Sequence, residues 1–209
     1  MPIRDYIEGA NPDRWADALC DLHRAPDWNA ARLFCADTVT VWNPEGDTVR
    51  HDELRFLLRW WDGLVTQHGG PPPASVKLDP LALRPALGHL CTLQPVDGGA
   101  DFRFRLYGSL VAESAGFDMT GKLASAMPSA PDAVAFLLAT YRAVSRTAMP
   151  LYTEHTPWSG QSVTRWFRLL LPFVGEDGTV ERIVVGNLPG ANRVPSYELL
   201  QEMTFAAVA

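Results

Sequence analysis

The chain has 209 residues, 47% of them hydrophobic and 20% charged, with a formal charge of -6 and a pI near 5.3. That length suits one domain with extensions, able to bury a core without disulfides or metal. The acidic balance, with no basic stripe beyond Arg103 and Arg105, argues against nucleic-acid binding. Three cysteines, Cys20, Cys35 and Cys91, lie far apart without a C-x-x-C pair, which reads as reduced thiols in a reducing compartment. The N-terminus shows no apolar leader, and no apolar run is long enough to span a bilayer. The expected setting is soluble and cytoplasmic.

In chain order, Asn11-Pro12 opens a helix whose Trp15, Ala18, Leu19 and Leu22 share one face, and Pro26 stops it. Asp27 is placed to cap a second short helix carrying Trp28, Ala31, Phe34 and Cys35. The β-branched run Thr38–Trp42 predicts a short strand. From Asp52 to Gln67 a helix carries Leu54, Leu57, Leu58, Trp61, Leu64 and Val65 in one broad stripe, widened by Phe56 and Trp60. His68-Gly69-Gly70 ends it, and Pro71-Pro72-Pro73 forms a stiff link.

His89–Val96 and Asp101–Tyr107 then predict a hairpin about the turn Asp97-Gly98-Gly99. Alternation puts Phe102, Phe104 and Leu106 on one face of its second strand and Arg103, Arg105 and Tyr107 on the other. A short helical piece runs from Ser109 to Gly116. A longer helix follows, capped by Ser129 with Asp132 as reciprocal partner, with Val134, Leu137, Leu138, Tyr141 and Val144 on its apolar face. Three strands close the domain: Pro150–Trp158, Val163–Val174 and Val180–Leu188. Ser196 is a plausible cap for a short C-terminal helix with Leu199, Leu200 and Met203. Two early strands, three late ones and helices between them predict an α+β fold with one antiparallel sheet.

The residues that go further are Leu78-Asp79-Pro80, Leu87-Gly88-His89-Leu90, Asp101 to Ser109, Gly116, Thr120-Gly121-Lys122 and Arg168 to Pro172. With the helix carrying Trp60-Trp61 before the proline link, they resemble the PAS domain superfamily, in particular the small stand-alone PAS proteins of alphaproteobacteria. The resemblance spans roughly residues 52–190 and is strongest over 78–122. It implies a five-stranded antiparallel PAS-type sheet with helices on one face, plus an N-terminal helical extension. The division expected is 1–70 for the extension and lead-in helix, 71–190 for the PAS domain and 191–209 for a short helical tail. It further implies a small cavity between sheet and helices, and a signalling role without catalysis. With no output domain in the chain, such a module would act in trans on a partner such as a histidine kinase, with a homodimer through the N-terminal helices.

The candidate site residues are Tyr107, Tyr141, His155, Trp158, Trp166 and Arg168. Large aromatics with one arginine suit a small apolar or carboxylate ligand, which arginine can grip with two hydrogen bonds. Glu154 and His155 are strand neighbours, so they face opposite ways and do not chelate one ion. The helix over 130–147 contains no histidine for haem, and no Asn-Cys-Arg-Phe-Leu-like stretch exists for a photoactive flavin. No G-x-G-x-x-G, P-loop or G-x-S-x-G pattern appears. The competing reading is a snoaL-like cone-shaped α+β enzyme or carrier, which requires a histidine, His51 or His155, paired with a buried carboxylate.

Overall fold

The computed structural model describes residues 11–24, 38–156 and 165–190. The second short helix expected over 27–35 and the C-terminal helix lie outside them. The described elements are α1 (Pro12–Arg24), β1 (Val39–Trp42), α2 (Asp52–His68), β2 (Leu90–Val96), β3 (Asp101–Tyr107), α3 (Ser109–Ala115), α4 (Pro131–Thr147), β4 (Leu151–His155), β5 (Trp166–Val174) and β6 (Val180–Pro189).

The strands form one antiparallel sheet in the order β1-β4-β5-β6-β2-β3. Six strands take part among the described residues, where five were expected. The extra member is β1, whose Val39 to Trp42 pair with Glu154 to Leu151 of β4. The run Thr38–Trp42 reads as a strand from its β-branched residues, but its partner lies more than a hundred residues away and only tertiary packing selects it.

Strand parity assigns each side chain to one of two cores. On β5, Trp166 and Leu170 join the core under α4, while Phe167, Leu169, Leu171 and Phe173 join the core under α2. Both faces are therefore covered, which explains why this strand is an almost unbroken apolar run instead of alternating. The helices α3 and α4 lie on one face as expected, and the lead-in helix α2 seals the other with Leu54, Leu57, Leu58 and Trp61. Trp61 donates its indole N–H to the Pro172 carbonyl at 3.0 Å, satisfying the one polar group the ring brings inside. Gly186 permits the close approach, because a Cβ there would stand 2.5 Å from a Leu54 methyl. Helix α2 ends as its sequence requires, with Gly69 left-handed at φ 72° and its N–H on the Val65 carbonyl. The proline link is stitched to the sheet: Val174 donates to the Pro72 carbonyl and Ala74 to that of Val174.

Helix α1 begins as expected, with the Asn11 side-chain oxygen accepting from the N–H groups of Asp13 and Arg14. Its buried face is Trp15, Ala16 and Leu19, with Ala16 in the place assigned to Ala18. That stripe packs on the outer surface of α4, against Ala135, Phe136, Ala139 and Ala143. The small residues of α4 let the two helices approach, and Asp13 and Asp17 pair with Arg142 and Arg146 along the seam. Trp42 closes the end of the seam by donating to the Leu19 carbonyl at 2.8 Å.

Two local expectations are corrected. Ser129 does not cap α4: the cap position is Ala130, without a side-chain bond, and Pro131 supplies the rigid first turn. On β3 the alternation breaks. The register slips between Thr92 and Leu93, so that Leu93 faces Phe104 while Thr92 faces Leu106. This bulge inserts Arg105 as an unmatched residue and switches the faces beyond it. Leu106 is consequently 45% exposed, and Tyr107 turns inward at 8%.

Candidate functional site

The inward face of the sheet and α4 do not meet everywhere. Between them is a cavity of about 40 Å³. Its floor is Cys91 of β2, Phe104 and Tyr107 of β3, His155 of β4, Trp166 and Arg168 of β5, and Val185 and Asn187 of β6. Its roof is Ala133, Leu137 and Tyr141 of α4, with Ala115, Phe117, Met127 and Ser129 closing one side. Five of the six candidate residues, Tyr107, Tyr141, His155, Trp166 and Arg168, line this one space. Trp158 falls outside the described residues.

Tyr107 reaches the cavity only because of the β3 bulge, and there it stands edge-on to Phe104 at 5.2 Å and stacked with Phe117 at 6.3 Å. Tyr141 projects from α4 between Phe102 and Phe104. Burial raises both phenols above their ordinary range, with the neighbouring Arg168 charge opposing the rise. Burial also lifts the Cys91 thiol to about 12, which makes it a neutral lining group and not a nucleophile. His155, edge-on to Phe136 at 5.1 Å, is held well below its usual pKa by burial and then by the charges of Arg168 and Arg165, so its imidazole is neutral.

Arg168 is the unusual member. Its side chain is among the largest fully buried in the protein, with the residue 2% exposed. The guanidinium carbon lies 5.1 Å from the centre of the Tyr141 ring, and Nη1 donates to the Thr140 hydroxyl over a long 3.4 Å. Among the described residues no carboxylate pairs with it, and Nη2 is buried with no hydrogen-bond partner. A buried guanidinium is usually paired with an anion, because desolvation costs several kcal/mol per ion. The arrangement can therefore accept an anion from the cavity side.

The acid next door does not serve. Glu154 points to the opposite sheet face, as strand parity requires, and is 3% exposed. Its two oxygens are taken by Arg50 at 2.9 Å, Arg165 at 3.0 Å and the Tyr152 hydroxyl at 3.0 Å. His51 is on that same side, edge-on to Phe167 at 4.4 Å. The snoaL-like reading depends on a catalytic histidine beside a buried carboxylate, and this buried carboxylate is committed to two arginines across the sheet from His155.

Sequence reasoning missed Cys91 and Asn187 in the lining. Asn187 carries a readable signal: it is the polar residue in Ile183-Val184-Val185-Gly186-Asn187-Leu188, and it shares parity with the inward Ile183 and Val185. Its side-chain oxygen is buried without a hydrogen-bond partner among the described residues.

A helix-roofed antiparallel sheet with a small cavity beneath the roof is the architecture that the sequence resemblance implies. The sequence model of the PAS domain family matches residues 49–188, and the chain belongs to that family. Comparison with curated proteins and with solved structures returns no match. Family membership makes this a sensor or interaction domain of signalling type in general terms. No helix among the described residues is long and apolar enough to cross a membrane.

Proposed function

We propose that this domain senses a small carboxylate held on Arg168 and passes cavity occupancy to a signalling partner, without catalysing a reaction on it. The observation that carries this is the fully buried guanidinium whose Nη2 faces no acceptor and no counter-charge among the described residues. Size supports the same class. Each water needs about 10–15 Å³ of such space and occupies about 30 Å³ of liquid. A cavity of about 40 Å³ thus takes about three waters, or a molecule of about six non-hydrogen atoms. Aromatic and aliphatic walls from Phe104, Leu137, Trp166 and Val185 favour a short alkyl part beside the charged end.

A partner such as a histidine kinase acting in trans is the signalling output this reading names; family membership supports a signalling role in general. A homodimer through the N-terminal helices would have to form without the Trp15–Leu19 stripe, which α4 already covers. The ligand reading is tested by isothermal titration of short carboxylates against amides of equal size, on wild type and on Arg168→Met. Carboxylates bind wild type at least tenfold better than amides, and the variant loses the difference. Equal binding of acids and amides, or of acids to both proteins, refutes it.

A further inference from the structure

We infer that the occupant is a short hydroxy-carboxylate, its carboxylate on Arg168 and its hydroxyl on Asn187; this rests on the carboxylate reading above. Arg168 and Asn187 are direct register partners on β5 and β6, so their stems rise side by side from strands about 4.8 Å apart. Both line the cavity. One presents a buried donor, Nη2, and the other a buried acceptor, Oδ1, and neither atom has a partner among the described residues. Leaving either unsatisfied is costly, because a buried polar atom keeps the full desolvation penalty.

An occupant that satisfies both must accept at one end and donate at the other. A plain carboxylate only accepts, so it serves Arg168 and leaves Asn187 wanting. An amino acid would donate through its ammonium, but that cation would stand beside the guanidinium in a cavity lined, among the described residues, by no carboxylate. A hydroxyl on the carbon next to the carboxylate donates without adding a charge. The hydroxy acid closest to the available volume has three carbons. The Asn187 amide can instead turn about its last bond and offer its NH2 to a plain carboxylate. The two arrangements make opposite predictions.

The experiment is isothermal titration of the full chain, stripped of small molecules by unfolding and refolding, with lactate against propionate, which differ only in the hydroxyl. Lactate binds about 5- to 30-fold tighter, the range expected when a buried acceptor is satisfied and not left bare. In Asn187→Leu the preference disappears while propionate affinity stays within about threefold of wild type. Should that variant fail to fold, glycolate against acetate and methoxyacetate on wild type gives the same reading. Glycolate alone of the three can donate, so it alone gains. Equal affinity of lactate and propionate for wild type overturns the hydroxy-acid assignment and leaves the carboxylate reading standing. Failure of both acids to bind at tens of millimolar removes the carboxylate reading itself.

Discussion

Replacing Arg168 with methionine should make the ligand-free protein more stable, against the usual direction for a fully buried residue. Methionine keeps an unbranched stem of similar course and adapts its packing. The losses are small. The bond to Thr140 is long at 3.4 Å, and the guanidinium over Tyr141 at 5.1 Å is worth about 1–2 kcal/mol when desolvated. Against them stands relief of a buried charge that lacks a paired anion among the described residues, worth several kcal/mol. The balance is a gain of about 1–3 kcal/mol, which for a chain of this size raises Tm by roughly 2–12 °C. Urea unfolding followed by tryptophan fluorescence reads it, with the slope m unchanged as the sign that both states keep their compactness. A hydroxy-carboxylate at about a hundred times its Kd then stabilises wild type by about 2.7 kcal/mol and leaves the variant where it was. A variant less stable than wild type by about 1 kcal/mol or more, at constant m, would show that the charge is already compensated and would refute the reasoning.

Acid should weaken the fold through His155. Its native imidazole is neutral, held below the ordinary value by burial and then by Arg168 and Arg165. Above a pH of about 6.5 neither state carries the proton and the residue contributes nothing to the pH dependence. Below it only the unfolded chain takes the proton up, so stability falls by about 1 kcal/mol from a pH of about 6.5 to about 5.5, the slope approaching about 1.4 kcal/mol per pH unit at lower pH. His155→Gln removes that slope between pH 6.5 and 5.5 in parallel urea titrations, while a contribution of the same sign from the half-buried His89 remains. Glu154→Gln, which strips the buried anion from Arg165 and Arg50, costs about 2–3 kcal/mol. By contrast, Arg50→Ala costs under about 1 kcal/mol because that side chain is 69% exposed, and the same denaturation assay separates the two. Cys91, with its thiol at about 12 and no exposure to speak of, stays unlabelled by a thiol reagent in native protein at pH 8 and labels after unfolding. Peptide mass spectrometry distinguishes it from the part-exposed Cys20.

What could be read from the chain follows the range of the interactions involved. Periodicity placed α2 to within a residue, because Leu54, Leu57, Leu58 and Trp61 form a stripe that no other structure buries and Gly69 must stop it. It placed the ends of β3 as well, yet assigned Leu106 and Tyr107 to the wrong faces. The slip at Thr92–Leu93 depends on how two strands fit each other, and neither strand records it alone. Tyr107 reads as a site candidate because it is a large aromatic on a strand, and the bulge is what delivers it. The Glu154 cluster is illegible for the same reason: Arg50, Tyr152 and Arg165 have no common period, and only the packing of β4, β5 and the loop before α2 gathers them.

Helix α4 shows the opposite case, where sequence contained more than one stripe could express. Its Val134, Leu137, Leu138, Tyr141 and Val144 face was read as facing the sheet, but Ala135, Phe136, Ala139 and Ala143 are buried too. A helix apolar on nearly all sides requires a second cover, and α1 is that cover. The consequence is physical continuity from site to surface. Leu137 and Tyr141 touch the cavity, Phe136 touches both His155 and the α1 seam, and Arg142 and Arg146 hold α1 by its aspartates. An occupant that pressed on Tyr141 would bear on the same helix on which α1 rests, because a close-packed interior transmits strain.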